Sequence, residues 1–159
     1  MSKMFYKCSS LSEINISNFD THNVNNMRYM FSNCSSLKEL NLSNFRTDIL
    51  KYPFAMFSDC SSLEKINVSN FNTNNVTEMN FMFSNCKSLK ELDLSNFRTD
   101  KVNTMHGMFK GCSGLKELNI SNFNFSNIFY VDGMFSGCSS EIQRKIREKF
   151  KDLKEKAFR

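Results

Sequence analysis

The stretch MFSNCSSLKELNLSNF, residues 30–45, decides the fold. Its single cysteine, Cys34, is one of six, and the others stand at Cys8, Cys60, Cys86, Cys112 and Cys138. Every gap is 26 residues. Aligned on these cysteines, residues 8–33, 34–59, 60–85, 86–111 and 112–137 match without insertion or deletion. The common pattern is C-x-x-L-x-x-L-x-L-S-N-F-x-T-x-x-V-x-x-M-x-x-M-F-x-x. Tandem copies of so short a unit indicate a solenoid, in which each copy buries its apolar face only against its neighbours.

The hydrophobic period changes within each copy. Leu37, Leu40 and Leu42 end in an i, i+2 alternation running into Ser43-Asn44-Phe45, which predicts a short strand with one inward face. Val76, Met79, Phe83 and Cys86 are spaced 3, 4 and 3, which predicts a short helical or 3₁₀ turn. Thr73, Asn74 and Asn75 ahead of it are cap or turn formers. Copies two and four share SLKEL and NFRTD, whereas copies one and three share Asn-Val and MFSN. We read this as duplication of a 52-residue, two-turn unit.

L-x-x-L-x-L, with C-x-x-L ahead of it and S-N-F-x-T and V-x-x-M-x-x-M-F after it, resembles the BspA-like leucine-rich repeats across residues 4–138. That family occurs on bacterial surface proteins, mycoplasma lipoproteins and related proteins of protozoa. The resemblance implies an α/β repeat fold: a right-handed leucine-rich-repeat solenoid of five 26-residue turns with short parallel strands. It also implies a non-catalytic protein-interaction or adhesion module of a surface protein, with no cofactor and a protein, matrix or glycan partner. A structural spacer without its own ligand is the alternative.

Composition narrows the classes. A chain of 159 residues, 40% hydrophobic with 17 Phe and 10 Met, has enough apolar mass for one folded domain. No run approaches the roughly 20 apolar residues of a membrane helix, and MSKMFYKCSS contains no signal-peptide core. Location is then expected to be the cell surface or the exterior if the chain was cut from a longer protein, and the cytoplasm if it is complete. The net charge of +5 is concentrated in residues 141–159, which carry +4. A nucleic-acid face spread over the repeats is therefore not expected.

The cysteine column is read as buried free thiols acting as small hydrophobes, in preference to disulfides or a metal site, because no C-x-x-C pair exists. The Met column and the Phe column (Phe19, Phe45, Phe71, Phe97, Phe123) are read as core, the latter as a stacked spine. His22 and His106 fall at non-equivalent positions, and no Gly-rich phosphate loop occurs, so no catalytic set assembles.

The candidate interaction surface is the exposed strand face, with columns Asn15, Asn41, Asn67, Asp93, Asn119 and Lys38, Lys90, Lys116. Two breaks in the repeat add candidates. Pro53 in KYPFAMF pushes Tyr52 outward, and NFNFSNIFYVDG brings Phe125, Phe129 and Tyr130, expected either to pack on a terminal cap or to form an exposed patch.

Residues 139–159 leave the pattern. Ser140 and Gln143 have capping-box spacing, and Ile142, Ile146, Phe150, Leu153 and Ala157 mark one face of an amphipathic helix. This segment is expected to cap the last turn, with contact to a membrane surface or nucleic acid through its basic outer face as the alternative. The first strand, around Ile14–Ile16, is expected to be an uncovered edge open to self-association.

Overall fold

The computed structural model describes residues 1–159. Four three-residue strands follow in order: β1 (Glu39–Asn41), β2 (Lys65–Asn67), β3 (Glu91–Asp93) and β4 (Glu117–Asn119). The chain ends with α1 (Ser140–Lys149) and a 3₁₀-helix, Glu155–Phe158. β1 pairs in parallel with β2, Glu39 opposite Lys65, and β3 pairs with β4, Glu91 opposite Glu117. The register is one repeat, and the pairing follows the 52-residue period, because β2 and β3 touch without forming a ladder. In β1 and β3 a buried Leu stands between two exposed polar residues.

The strands stay short because the residue ending each one turns the chain. Asn41 Oδ1 accepts the Ser43 N–H at 3.1 Å, Asn67 the Ser69 N–H at 3.1 Å, Asp93 the Ser95 N–H at 2.9 Å and Asn119 the Ser121 N–H at 3.2 Å. These are Asx turns, in which a side-chain oxygen replaces a backbone acceptor. Asn15 makes the same bond to Ser17, but residues 11–16 form no strand, so the edge strand expected around Ile14–Ile16 does not exist.

A column of buried threonines clips neighbouring repeats together. Thr73 Oγ1 donates to the Arg98 carbonyl at 2.8 Å and accepts the Arg98 N–H at 2.8 Å. Thr21, Thr47 and Thr99 make the same double bond to residues 46, 72 and 124. Thr73→Val keeps the volume and removes both bonds. The expected loss is roughly 2–3 kcal/mol, read as a lower urea midpoint with an unchanged m-value.

The Met-Phe segment is not the helical or 3₁₀ turn that its spacing predicts. Met30 N–H donates to Met27 O and Cys34 N–H to Phe31 O, with Tyr29 at φ 57° and Asn33 at φ 63°. These are consecutive turns with a left-handed third residue. The alternate amides leave the repeat: those of Met27, Tyr29, Phe31 and Asn33 donate to the carbonyls of Tyr52, Phe54, Met56 and Ser58. The segment is thus a second inter-repeat ladder. Pro53 interrupts it, because proline has no N–H to offer Glu78 O, and no bridge joins Tyr52 to Glu78.

One apolar cluster of 42 buried residues runs through all repeats, with Met27, Met30, Met56, Met79, Met82, Met105, Met108 and Met134 fully inside. The stacked aromatic spine is formed by the Phe of the Met-Phe pair, not by the Phe of Ser-Asn-Phe. Phe5, Phe31, Phe57, Phe83, Phe109 and Phe135 follow each other at 5.3–6.0 Å with interplanar angles of 9–23°. In the expected spine, only Phe71 and Phe97 stack, at 6.2 Å.

The tail differs from one amphipathic helix. Ser139, not Ser140, caps α1 by accepting the Ile142 N–H, and Gln143 instead donates to the carbonyls of Phe135 and Cys138. The helix stops at Lys149, and the chain returns to the last repeat. There the Gly133 and Phe135 amides donate to Lys156 O at 2.8 Å and Ala157 O at 2.7 Å. Phe158 stacks on Phe135 at 5.6 Å. Residues 156–158 supply what a further repeat would supply.

Candidate interaction surfaces

On the strand face, Lys38, Lys90 and Lys116 are exposed and join no ion pair, whereas Lys65 holds Glu39 at 3.0 Å. The exposed Asn15, Asn41, Asn67 and Asn119 each have the side-chain oxygen engaged in an Asx turn and turn an amide nitrogen outward, whereas Asp93 engages one carboxylate oxygen and keeps the other. The Ser95 N–H holds the Asp93 carboxyl below the usual carboxylate range. Where β2 and β3 fail to pair, a shallow cleft of about 380 Å³ opens between Lys65, Ile66, Lys90 and Asp93.

The second ladder carries a surface that the repeat columns hide. Tyr6, Tyr29, Phe54, Phe81 and His106 meet in a zigzag, with ring centroids 5.9, 5.2, 5.9 and 4.8 Å apart. The first four rings are half-buried and His106 is exposed. Cations line its N-terminal half: Lys3 lies 5.6 Å from the Tyr6 and Tyr29 rings and Lys7 lies 5.3 Å from Tyr6. Arg28 spans the second repeat to pair with Glu78, its guanidinium 4.8 Å from the Tyr52 ring. Tyr52 itself is 37% exposed beside Pro53.

Tyr29 and Phe81 sit at φ 57°, in a left-handed column that also holds Lys3 at φ 58°, Ala55 at φ 51°, Gly107 at φ 58° and Gly133 at φ 63°. A bulky residue in the left-handed region costs roughly 1–2 kcal/mol. The sequence signal for this geometry was the recurrence of Gly, Asn or Asp four residues on, at Asn33, Asp59, Asn85, Gly111 and Gly137.

In the fifth repeat, Phe125 packs edge-on against Phe150 of the tail at 5.1 Å. Phe129 and Tyr130 are 68% and 63% exposed, touched from the tail only by Lys156, whose ammonium lies 5.9 Å from the Tyr130 ring and donates to the Phe129 carbonyl at 3.4 Å. The two histidines stay apart: His22 pairs with Asp20 at 2.6 Å, and His106 meets Phe81 edge-on.

The cysteines do not all behave alike. Cys34, Cys60, Cys86, Cys112 and Cys138 are buried free thiols, but Cys8 is exposed, contrary to the expectation that the whole column lies inside. Each buried Sγ reaches the Phe carbonyl of the preceding repeat, as Cys60 does to Phe31 O at 3.1 Å and Cys112 to Phe83 O at 3.0 Å. Thiol donors are weak, yet here they occupy a second lone pair on a carbonyl already accepting the Cys34 or Cys86 N–H. Burial pushes the Cys60 and Cys138 thiols up to about 12, and the thiolate is the reactive form. Labelling the native protein with a thiol reagent should therefore modify Cys8 at once and the other five only after unfolding. Peptide mapping checks the assignment. No group of three or more His, Cys, Asp or Glu is arranged to hold a metal ion.

No helix is long and apolar enough to cross a membrane. No curated protein matches the chain. Among solved structures, it is similar to the crystal structure of T. pallidum leucine rich repeat protein, at 22% identity and a TM-score of 0.53. The match covers 92% of this chain and 74% of that one, and it shows a leucine-rich-repeat fold with short parallel strands. The model of the family described as "Mycoplasma protein of unknown function, DUF285" matches residues 1–91 and 54–154. Together with the 26-residue register and the buried Cys, Leu, Met and Phe columns, these matches place the chain in that family, among the BspA-like leucine-rich-repeat proteins.

Proposed function

We propose that the chain is a non-catalytic protein-interaction or adhesion module of surface-protein type. In this reading residues 1–138 are a right-handed solenoid of five 26-residue turns and residues 139–159 cap it. The binding surface is the aromatic zigzag of the second ladder, extended by Tyr52 and Arg28, with the strand-face residues Lys38, Lys90 and Lys116 at most a secondary contact. One observation carries this choice. Tyr29 and Phe81 occupy left-handed positions that glycine fills at no cost, and they remain half-exposed there. The same left-handed turn carries Lys3 and the buried Ala55, so what sets Tyr29 and Phe81 apart is the half-exposed ring each presents to a partner. Aromatic residues beside cations are also the usual anchors of protein interfaces.

The test is binding of the full chain to a panel of purified extracellular-matrix glycoproteins. Tyr29→Asn combined with Phe81→Asn relieves the left-handed strain while giving up ring contacts, so stability should hold to within about 1 kcal/mol. Binding should fall at least tenfold, and Lys38→Ala with Lys116→Ala should leave it unchanged. Loss of binding in the lysine pair alone would move the surface to the strand face. A wild-type chain that binds no member of the panel would favour the spacer reading.

A further inference from the structure

The tail creates a groove against the fifth repeat. Phe125, Ile128, Phe150 and Leu153 line its apolar part, and its volume is about 710 Å³. Lys149, Lys151 and Lys154 stand on its rim. The charge of the tail is not spread evenly around this groove. Arg144 pairs with Glu148 at 2.7 Å, Lys145 with Glu141 at 2.8 Å, Lys156 with Asp132 at 3.0 Å, and Arg147 with Glu155. The three rim lysines join no ion pair, and only Asp152 opposes them among the groove residues. Of the tail cations that join no ion pair, all but Arg159 thus stand where apolar surface is open. Ile128 belongs to the groove, and the next two residues are Phe129 and Tyr130, the most exposed large apolar side chains of the molecule at 68% and 63%.

We propose that this end of the molecule docks on an anionic lipid surface. Lysines around an apolar groove, with two exposed aromatic residues directly following Ile128 of its lining in the chain, are the chemistry of a peripheral membrane contact: ammonium groups meet headgroup phosphates, and Phe and Tyr sit at the boundary with the acyl chains. A soluble acidic segment would satisfy the lysines but would leave Phe129 and Tyr130 without a role. The residues involved are separate from the aromatic zigzag, so this inference and the proposed protein-binding role stand or fall independently.

Co-sedimentation of the full chain with vesicles tests it. Binding is expected to equimolar phosphatidylcholine and phosphatidylglycerol, and not to phosphatidylcholine alone. Each of Lys149→Gln, Lys151→Gln and Lys154→Gln should weaken it roughly five-fold. Phe129→Ser with Tyr130→Ser should remove the binding that survives high salt, while the thermal transition stays unchanged because both side chains are exposed. Equal binding to neutral vesicles, no binding to either kind, or binding insensitive to these substitutions would overturn the proposal. Retention of poly-glutamate with the same lysine dependence, but of no vesicle, would reassign the groove to a soluble acidic partner and overturn it equally.

Discussion

Between pH 9 and pH 12 the protein is expected to lose its fold in one cooperative transition driven by its cysteine column. Burial raises the folded-state pKa of Cys60 from 9.0 to about 12 and that of Cys138 to about 12, and it pushes Cys86 and Cys112 up as well. The folded chain therefore keeps protons that the unfolded chain releases above pH 9. The contribution of each buried thiol is fully present below the unfolded value and is lost as pH climbs toward the folded one. One pKa unit is about 1.4 kcal/mol, so Cys60 alone loses about 4 kcal/mol across this window. A domain holds about 5–15 kcal/mol in all, and several thiols act together. Urea midpoints measured at steps above pH 9 should fall steeply. Cys60→Ala should reduce the slope by about one proton, which separates the thiols from other groups titrating in that range. A midpoint that stays level to pH 11 would refute the account.

The parts of this fold legible in the sequence are those in which one position repeats one environment. Leu40 and Leu92 are buried in the short strands because their column is apolar in every copy, and the methionines are core for the same reason. The Met-Phe segment misled because spacings of 3 and 4 suit a helix as well as consecutive turns. What decides between them is backbone sign, and the only trace of that was Asn33, Asp59, Asn85 and the glycines at four-residue intervals. The threonine column was visible, but not that Thr73 holds both the N–H and the carbonyl of Arg98.

Surfaces were harder to read for a physical reason. The aromatic zigzag alternates between two columns, Tyr29 and Phe81 in one and Phe54 and His106 in the other, so a 26-residue alignment scatters it. The Asn column looked like a free polar face because it repeats and is exposed. Its oxygens are in fact spent two residues away on Ser17, Ser43, Ser69 and Ser121. Recurrence reports a common environment; it does not report whether that environment is solvent, a partner or the chain's own backbone.

Phe158→Ala is expected to cost about 3–5 kcal/mol, the range for deleting a buried phenyl ring, although it lies at the second-last residue of the chain. Phe158 is only 7% exposed and ends the aromatic stack on Phe135 at 5.6 Å, with the Arg147 guanidinium 3.7 Å from its ring centroid. The segment before it supplies the carbonyls of Lys156 and Ala157 to the Gly133 and Phe135 amides. Deleting residues 155–159 should therefore cost more than the substitution, because it also leaves those two amides without acceptors beside the exposed edge of the core. In a repeat array, coupling passes between neighbours, so the loss should be graded. Hydrogen exchange at Gly133 and Phe135 should accelerate first and most, the amides of Gly107 and Phe109 less, and those of Tyr29 and Phe31 least. A chain lacking 155–159 that still protects Gly133 and Phe135 would show that the tail is an appendage and not a closing turn. A Phe158→Ala variant within about 1 kcal/mol of the parent would show that the stack ends energetically at Phe135.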